Sequence, residues 1–286
     1  MGPQQIQPDT IEEHLIYQAI VWTWGLWLLG LLYVVGPLVG VALLLVFAAR
    51  YAGLLPDPSR RPLQVPVGVV VWIVGMLAML LALVIGHLDF ELGLGKLIKS
   101  TFGWAKGWAL LAIFPLIGAV LSIRAAVIYR ASGKLALQTL VLAPVFGLAG
   151  LAGLPQDLYV SPLHLIGPGK EFFDVTLYAT DITTGKLRWR FFGPWATATA
   201  FVVSIGFLMA LYERVWFWKL VGIVSALTVC WMAGSRSSII AIPVVLLALF
   251  AIANIRRPQM LVALAFGAVM LMLMTDLVLL LIEDSH

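Results

Sequence analysis

The chain has 286 residues, is 62% hydrophobic and 11% charged, and has a mean hydropathy of +1.03, which excludes a soluble domain and places its apolar runs in a bilayer. The net charge of +4 comes from basic residues scattered among loops, which excludes nucleic acid as a partner. Cys230 is the single cysteine, and His14, His87, His164 and His286 lie far apart, so there is no disulfide framework and no metal-ligand spacing; no metal or other cofactor is expected.

The N-terminal stretch MGPQQIQPDTIEEH has no Lys or Arg and does not read as a secretory signal. Residues 17–49 form one long apolar stretch containing Gly36-Pro37, where proline removes a helix hydrogen bond. Two short spans in a tight hairpin and one long kinked span both fit; two are favoured. Further spans are predicted at 66–86, 108–129, 135–152, 192–212, 215–233, 238–253 and 259–281, about nine in all. The predicted fold class is all-α: a polytopic helical membrane protein with about eight or nine transmembrane helices and a small external loop containing a hairpin. It is read as a single transmembrane domain, 1–286, with N-terminal spans in 17–134 and a motif region at 135–255.

Basic residues then assign sides. Linkers 50–65, 130–134, 213–219 and 254–258 carry Arg50, Arg60, Arg61, Arg130, Lys134, Arg214, Lys219, Arg256 and Arg257, and Arg124 at the end of its span can snorkel to the same side. Only Asp57 and Glu213 are read as acids near them. That side is assigned to the cytoplasm, together with the N-terminus. The remaining cations fall outside, where topology does not explain them.

Two external loops differ in character. Loop 87–107, HLDFELGLGKLIKSTFGWAKG, mixes large apolar residues with Lys96, Lys99 and Lys106, which would share one side of a helix lying in the membrane interface. Loop 153–191 is more polar, and FDVTLYATDITTGKLRWRFFG has the alternation and the central Thr184-Gly185 of a β-hairpin. Leu187, Trp189 and Phe191 then share one face, and Lys186, Arg188 and Arg190 the other. Such a cationic row suits an anionic head group; cross-strand pairing with Asp174 or Asp181 is the alternative.

The span 215–233 runs into Trp231-Met232-Ala233-Gly234-Ser235-Arg236-Ser237-Ser238, and another helix follows at once. Serines cap a helix, a helix N-terminus attracts anions, and a guanidinium grips phosphate through two nitrogens. Among the remaining features, Asp276 within the last apolar run is best read as solvent-accessible near its external end. The Gly147, Gly150 and Gly153 series is read as allowing close helix packing, and the tryptophans at span ends as interface anchors.

The order of LRWRFFGPWATATAF entering one span and CWMAGSRSSIIAI between the next two resembles the O-antigen ligase/polymerase superfamily over roughly residues 130–255. The resemblance implies a multi-pass protein of the bacterial inner (plasma) membrane acting in cell-surface polysaccharide assembly. Its donor would be a polyprenyl-pyrophosphate-linked glycan, bound and transferred at the external face to a lipid or glycan acceptor, without nucleotide sugar or metal. Arg188 or Arg190 would match the family's upstream arginine, and Ser235, Arg236 and Ser237 its Ser-Arg turn, together holding the donor pyrophosphate and stabilising it as it leaves. The family's large external loop, with its acceptor-activating histidine, comes later in the chain than this sequence extends. The expectation is therefore either the N-terminal portion of a longer enzyme or a truncated relative that binds without catalysing, and no catalytic base is assigned. The competing readings are a transporter or flippase for lipid-linked oligosaccharide, for which Arg124 is the clearest basic residue drawn into a span, and a catalytically empty membrane scaffold.

Overall fold

The computed structural model describes residues 6–56, 65–166, 169–181 and 184–257, with isolated positions up to 270. Asp276 and most of the predicted span 259–281 lie outside the described residues. The chain forms two compact units, Met1–Ser235 and Arg236–His286.

The first unit opens with α1 (Ile11–Val21), whose N-cap Thr10 accepts a hydrogen bond from the Glu13 backbone N–H while the Glu13 carboxylate accepts one from Asp9 N. This is a Thr-x-x-Glu start with acids at the positive end of the helix dipole. After a break at Trp22 the chain continues as α2 (Thr23–Leu28) and then reverses into α3 (Leu32–Tyr51). Two antiparallel runs therefore occupy the long apolar stretch, of which α3 is long and apolar enough to cross a membrane, and the reversal falls at Gly30 rather than Gly36-Pro37. Gly30 has φ +63°, and a Cβ there would lie 2.4 Å from the Ser161 Cβ. Pro37 sits inside α3, which continues through it.

There follow α4 (Val67–Asp89), α5 (Leu94–Lys106), α6 (Leu110–Val120) and α7 (Ala125–Leu151). The amphipathic segment predicted in loop 87–107 is α5, anchored by a hydrogen bond between His87 Nε2 and Ser100 Oγ (2.9 Å). Two predicted spans, 108–129 and 135–152, are corrected. The chain turns at 121–124, and α7 then runs unbroken through residues 130–134, which had been read as a linker. Nothing in ASGK stops a helix. Arg130 within it is buried, bonded to Glu213 and stacked 5.5 Å from the Trp218 ring centroid. Arg124, read as drawn into a span, lies in the turn instead and pairs with Asp9 and Glu13.

After the loop that follows α7 come α8 (Ala196–Tyr212), α9 (Trp216–Met232) and, opening the second unit, α10 (Arg236–Asn254). Helices α7, α8 and α9 approach closely through small residues. A Cβ on Gly222 would meet Ala210 Cβ at 2.5 Å, and one on Gly133 would meet the Trp218 ring at 3.2 Å. Side-chain pairs fix direction: Tyr17 packs with Val127 and Ala131, Trp24 Nε1 donates to Thr139 Oγ1, and Trp27 meets Phe146, so α1–α2 runs parallel to α7. The Arg50–Glu12 and Arg130–Glu213 pairs make α3 and α8 antiparallel to them. One end of this unit thus gathers Asp9, Glu12, Glu13, Arg50, Arg124, Arg130 and Glu213, while the loop after α7 caps the other. The three N-terminal acids are the counter-charges that reading Asp57 and Glu213 alone had missed.

Among the described residues, five stretches are long and apolar enough to cross a membrane: Leu32–Tyr51, Val67–Asp89, Leu94–Val120, Ala125–Leu151 and Arg236–Asn254; α8 and α9 are apolar but shorter. No part of the α4 apolar window is buried, so large side chains such as Val71, Trp72 and Leu81 face outward, as in a helix solvated by lipid.

Candidate functional site

The loop between α7 and α8 folds into two small antiparallel pairs. Strand β1 (Asp157–Val160) pairs with β2 (Asp174–Thr176), and β3 (Tyr178–Thr180) with β4 (Leu187–Trp189). The second pair is the predicted hairpin, turning at Gly185 with φ +66° while the Asp181 carboxylate accepts a hydrogen bond from Thr184 N. The pair β1–β2 was not anticipated, because Asp157–Val160 is too short to show alternation.

Alternation along β4 separates the arginines from the aromatic face as predicted. Leu187 and Trp189 lie on Gly150 of α7, and Trp189 Nε1 donates to Phe146 O at 2.8 Å. Gly150 therefore admits the hairpin, not another helix. Phe191 is fully buried with φ +51°, in the aromatic core with Trp24, Phe146 and Phe192. On the opposite face, Arg188 Nε donates to Ala233 O at 3.0 Å, and its Nη1 lies 3.2 Å from Asp181 Oδ2. The pairing with Asp181 weighed from the sequence is present, and the same guanidinium also caps the end of α9.

That helix ends in a Schellman motif. Gly234 (φ +60°) donates to Trp231 O, and Ser235 N donates to Cys230 O, satisfying carbonyls that the last turn leaves open. Arg188 lies over Gly234, where a Cβ would come within 3.6 Å of Nε. Ser235 is buried, Arg236 opens α10 and is exposed, and Ser237 beside it is also exposed.

Arg190 goes elsewhere. It is half-buried, donates weakly to Glu171 O (3.4 Å), and is surrounded by Asp174, Asp157 and Glu171. Burial pushes its guanidinium pKa down, against the pull of those carboxylates. Burial together with Asp157 pushes the Asp174 carboxyl up, against Arg190 and Lys170. Asp174 Oδ1 and Arg190 Nε are both buried without a hydrogen-bond partner among the described residues. The two arginines that the sequence left as alternatives are thus placed differently: Arg188 on the α9 turn, Arg190 among acids.

Two cavities meet beneath the loop. The smaller, about 230 Å³, is mostly apolar, lined by the rings of Trp27, Tyr33, Phe172 and Phe192, with Glu171 and Asp174 at its wall. The other, about 430 Å³, lies between α1–α2, α7, α8 and α9 and is almost wholly apolar, with Ala19, Leu135, Val202 and Ala226 among its walls. Leu32, Phe192, Gly193 and Pro194 line both. The wall they share depends on Gly193, since a Cβ there would lie 2.0 Å from Thr199 Oγ1, whose hydroxyl donates to Arg190 O at 2.5 Å.

No protein-family model, curated protein or solved structure matches the chain.

The larger cavity can seat an apolar chain. Neither cavity was legible beforehand: Tyr33 and Glu171 meet across more than a hundred residues, and nothing in their local sequence marks them.

Proposed function

We propose that the chain is a multi-pass inner-membrane protein of bacterial cell-surface polysaccharide assembly, of the O-antigen ligase/polymerase type. It binds a polyprenyl-pyrophosphate-linked glycan at the external face and transfers it to a lipid or glycan acceptor. In this reading α1–α2 cross together and the chain crosses eight or nine times, with Arg50, Arg124 and Arg130 at the cytoplasmic end and loop 153–191 outside.

The observation that carries it is the seating of Arg188 on the Ala233-Gly234 turn. The resemblance pairs an upstream arginine with a Ser-Arg turn a helix later, and these two segments, 45 residues apart, are hydrogen-bonded to each other. Ser235, Arg236 and Ser237 follow that turn in the chain, so Arg236 is assigned the pyrophosphate, with Arg188 holding the turn in shape. The transporter reading gains nothing comparable. A flippase needs charge along a central path, and the 430 Å³ cavity has no charged residue in its lining.

The test is equilibrium binding of a polyprenyl-pyrophosphate disaccharide to the purified chain, comparing wild type with Arg236→Ala and Arg236→Lys. Losing a charge-assisted contact weakens binding about ten- to a hundredfold, and lysine restores part of it because it lacks the bidentate fork. Equal affinities in all three, with unchanged thermal stability, would reduce Arg236 to a lipid-facing anchor and remove this assignment.

A further inference from the structure

We infer that α5 is a docking surface for anionic phospholipid. It lies on the bilayer at the loop-covered end of the first unit, with an apolar row among the acyl chains and its lysines on the headgroup phosphates.

Packing sets the depth of α5. Its last residue, Lys106, lies over the ring of Tyr33 at 5.7 Å, and Tyr33 is the second residue of α3. Tyr33 also packs on Phe172, so α5 ends beside the loop between α7 and α8. Further along the chain, Leu110 and Ile113 lie at Gly40, and Ile117 and Leu121 pack on Leu43. Residues 107–121 therefore run parallel to α3 through the depth that α3 crosses, and they leave α5 outside it. At its other end α5 follows α4, whose apolar window has no buried part, and His87 near the end of α4 bonds Ser100. Both ends of α5 thus stand where lipid-facing helices leave the hydrocarbon.

Three rows divide the helix. Leu97, Ser100 and Trp104, spaced i, i+3, i+7, form the part-buried side, held to α4 through the His87–Ser100 bond. Leu94, Ile98 and Phe102, each one turn apart, are 74%, 68% and 62% exposed. Lys96, Lys99 and Lys106 take the remaining side, and no Asp or Glu occurs within α5; Asp89 and Glu91 precede it. Only one medium meets both outward rows. Water, or an acidic peptide in water, would suit the lysines and leave three large apolar side chains solvated. A zwitterionic bilayer would take the apolar row and offer the lysines no net counter-charge. An anionic bilayer does both, because an amphipathic helix binds through apolar burial together with attraction to anionic headgroups. These lysines are among the cations that the sidedness of the chain leaves unexplained. None of the residues assigned to pyrophosphate takes part, and the surface stands in either orientation of the chain.

The test places a fluorophore among the lysines. With Cys230→Ala as background, Gly103→Cys is labelled with nitrobenzoxadiazole, and the full chain is reconstituted in phosphatidylcholine nanodiscs. A Cβ at Gly103 meets nothing within 4 Å, so the site accepts the label. Phosphatidylglycerol or phosphatidylcholine, spin-labelled on the acyl chain, is then added as quencher. The quenching constant for phosphatidylglycerol should exceed that for phosphatidylcholine by about fivefold or more, the effect of at least one lysine at a charged surface. High salt should shrink the excess. Lys96→Gln with Lys99→Gln should abolish it without changing quenching by phosphatidylcholine, and Ile98→Asn with Phe102→Asn should lower quenching by both lipids. If the label at 103 lowers thermal stability, Gly95→Cys, equally open, carries the same comparison. Equal quenching by the two lipids with all three lysines present, or an excess that survives the loss of Lys96 and Lys99, would overturn the inference. No quenching by either lipid would place α5 away from the membrane and overturn it as well.

Discussion

Gly193 and Gly36 both precede a proline, yet they answer to different constraints. A Cβ at Gly193 would meet Thr199 Oγ1 at 2.0 Å and Thr199 N at 3.0 Å, so Gly193→Ala must push back the start of α8 and break the Thr199–Arg190 bond. Overpacking of this kind costs about 1–3 kcal/mol. A Cβ at Gly36 meets nothing within 4 Å, and its φ is ordinary for a helix. Gly36→Ala should leave stability unchanged or raise it by up to about 1 kcal/mol. Thermal unfolding of both variants in one detergent checks the pair; equal effects would mean that the Gly193 approach is not a real constraint.

At the scale of elements, the Arg130–Glu213 pair ties the second turn of α7 to the turn between α8 and α9. Both side chains are buried, and Glu213 also accepts from the backbone N–H groups of Arg214 and Val215, orienting the first turn of α9. Burial alone would raise the Glu213 carboxyl, but its hydrogen bonds from Arg130 and the backbone hold it below the ordinary 4.5. A carboxylate whose folded pKa is depressed contributes stability above its unfolded value and loses it as pH falls through the folded one. Glu213→Gln leaves Arg130 as a buried unpaired charge, at a cost of about 3–5 kcal/mol at neutral pH. The gap in melting temperature between wild type and variant should narrow as pH drops below 4.5. A gap constant from pH 7 to pH 3 would show that the charge of Glu213 contributes nothing.

Across the whole molecule, polarity is divided along the helices. Ion pairs Glu12–Arg50, Glu13–Arg124 and Arg130–Glu213 gather at one end of the first unit, and the hairpin loop covers the other. With Cys230→Ala as background, Thr184→Cys should react with a membrane-impermeant maleimide on intact cells expressing the protein, and Ala52→Cys only after the membrane is opened. The reverse pattern would invert the orientation and move the proposed donor site to the cytoplasm.

Sequence by itself determined the features that depend on near neighbours or on totals. Composition sets the solvent of the chain, since 62% hydrophobic residues cannot be buried inside 286 residues of soluble fold. The hairpin was legible because alternation and Thr184-Gly185 lie within a dozen residues, and α5 because its lysines recur at helical spacing. Span limits were less so: whether Arg130 ends a helix or is buried within one depends on Glu213, 83 residues away. Only the tertiary structure decided where the arginines point. Arg188 and Arg190 share a strand face on paper, but Arg188 meets the free carbonyl ending α9, while Arg190 is drawn toward Asp174 and Glu171. The cavities have the same origin, because a space between α1–α2, α7, α8 and α9 belongs to no segment and exists only once four helices have packed.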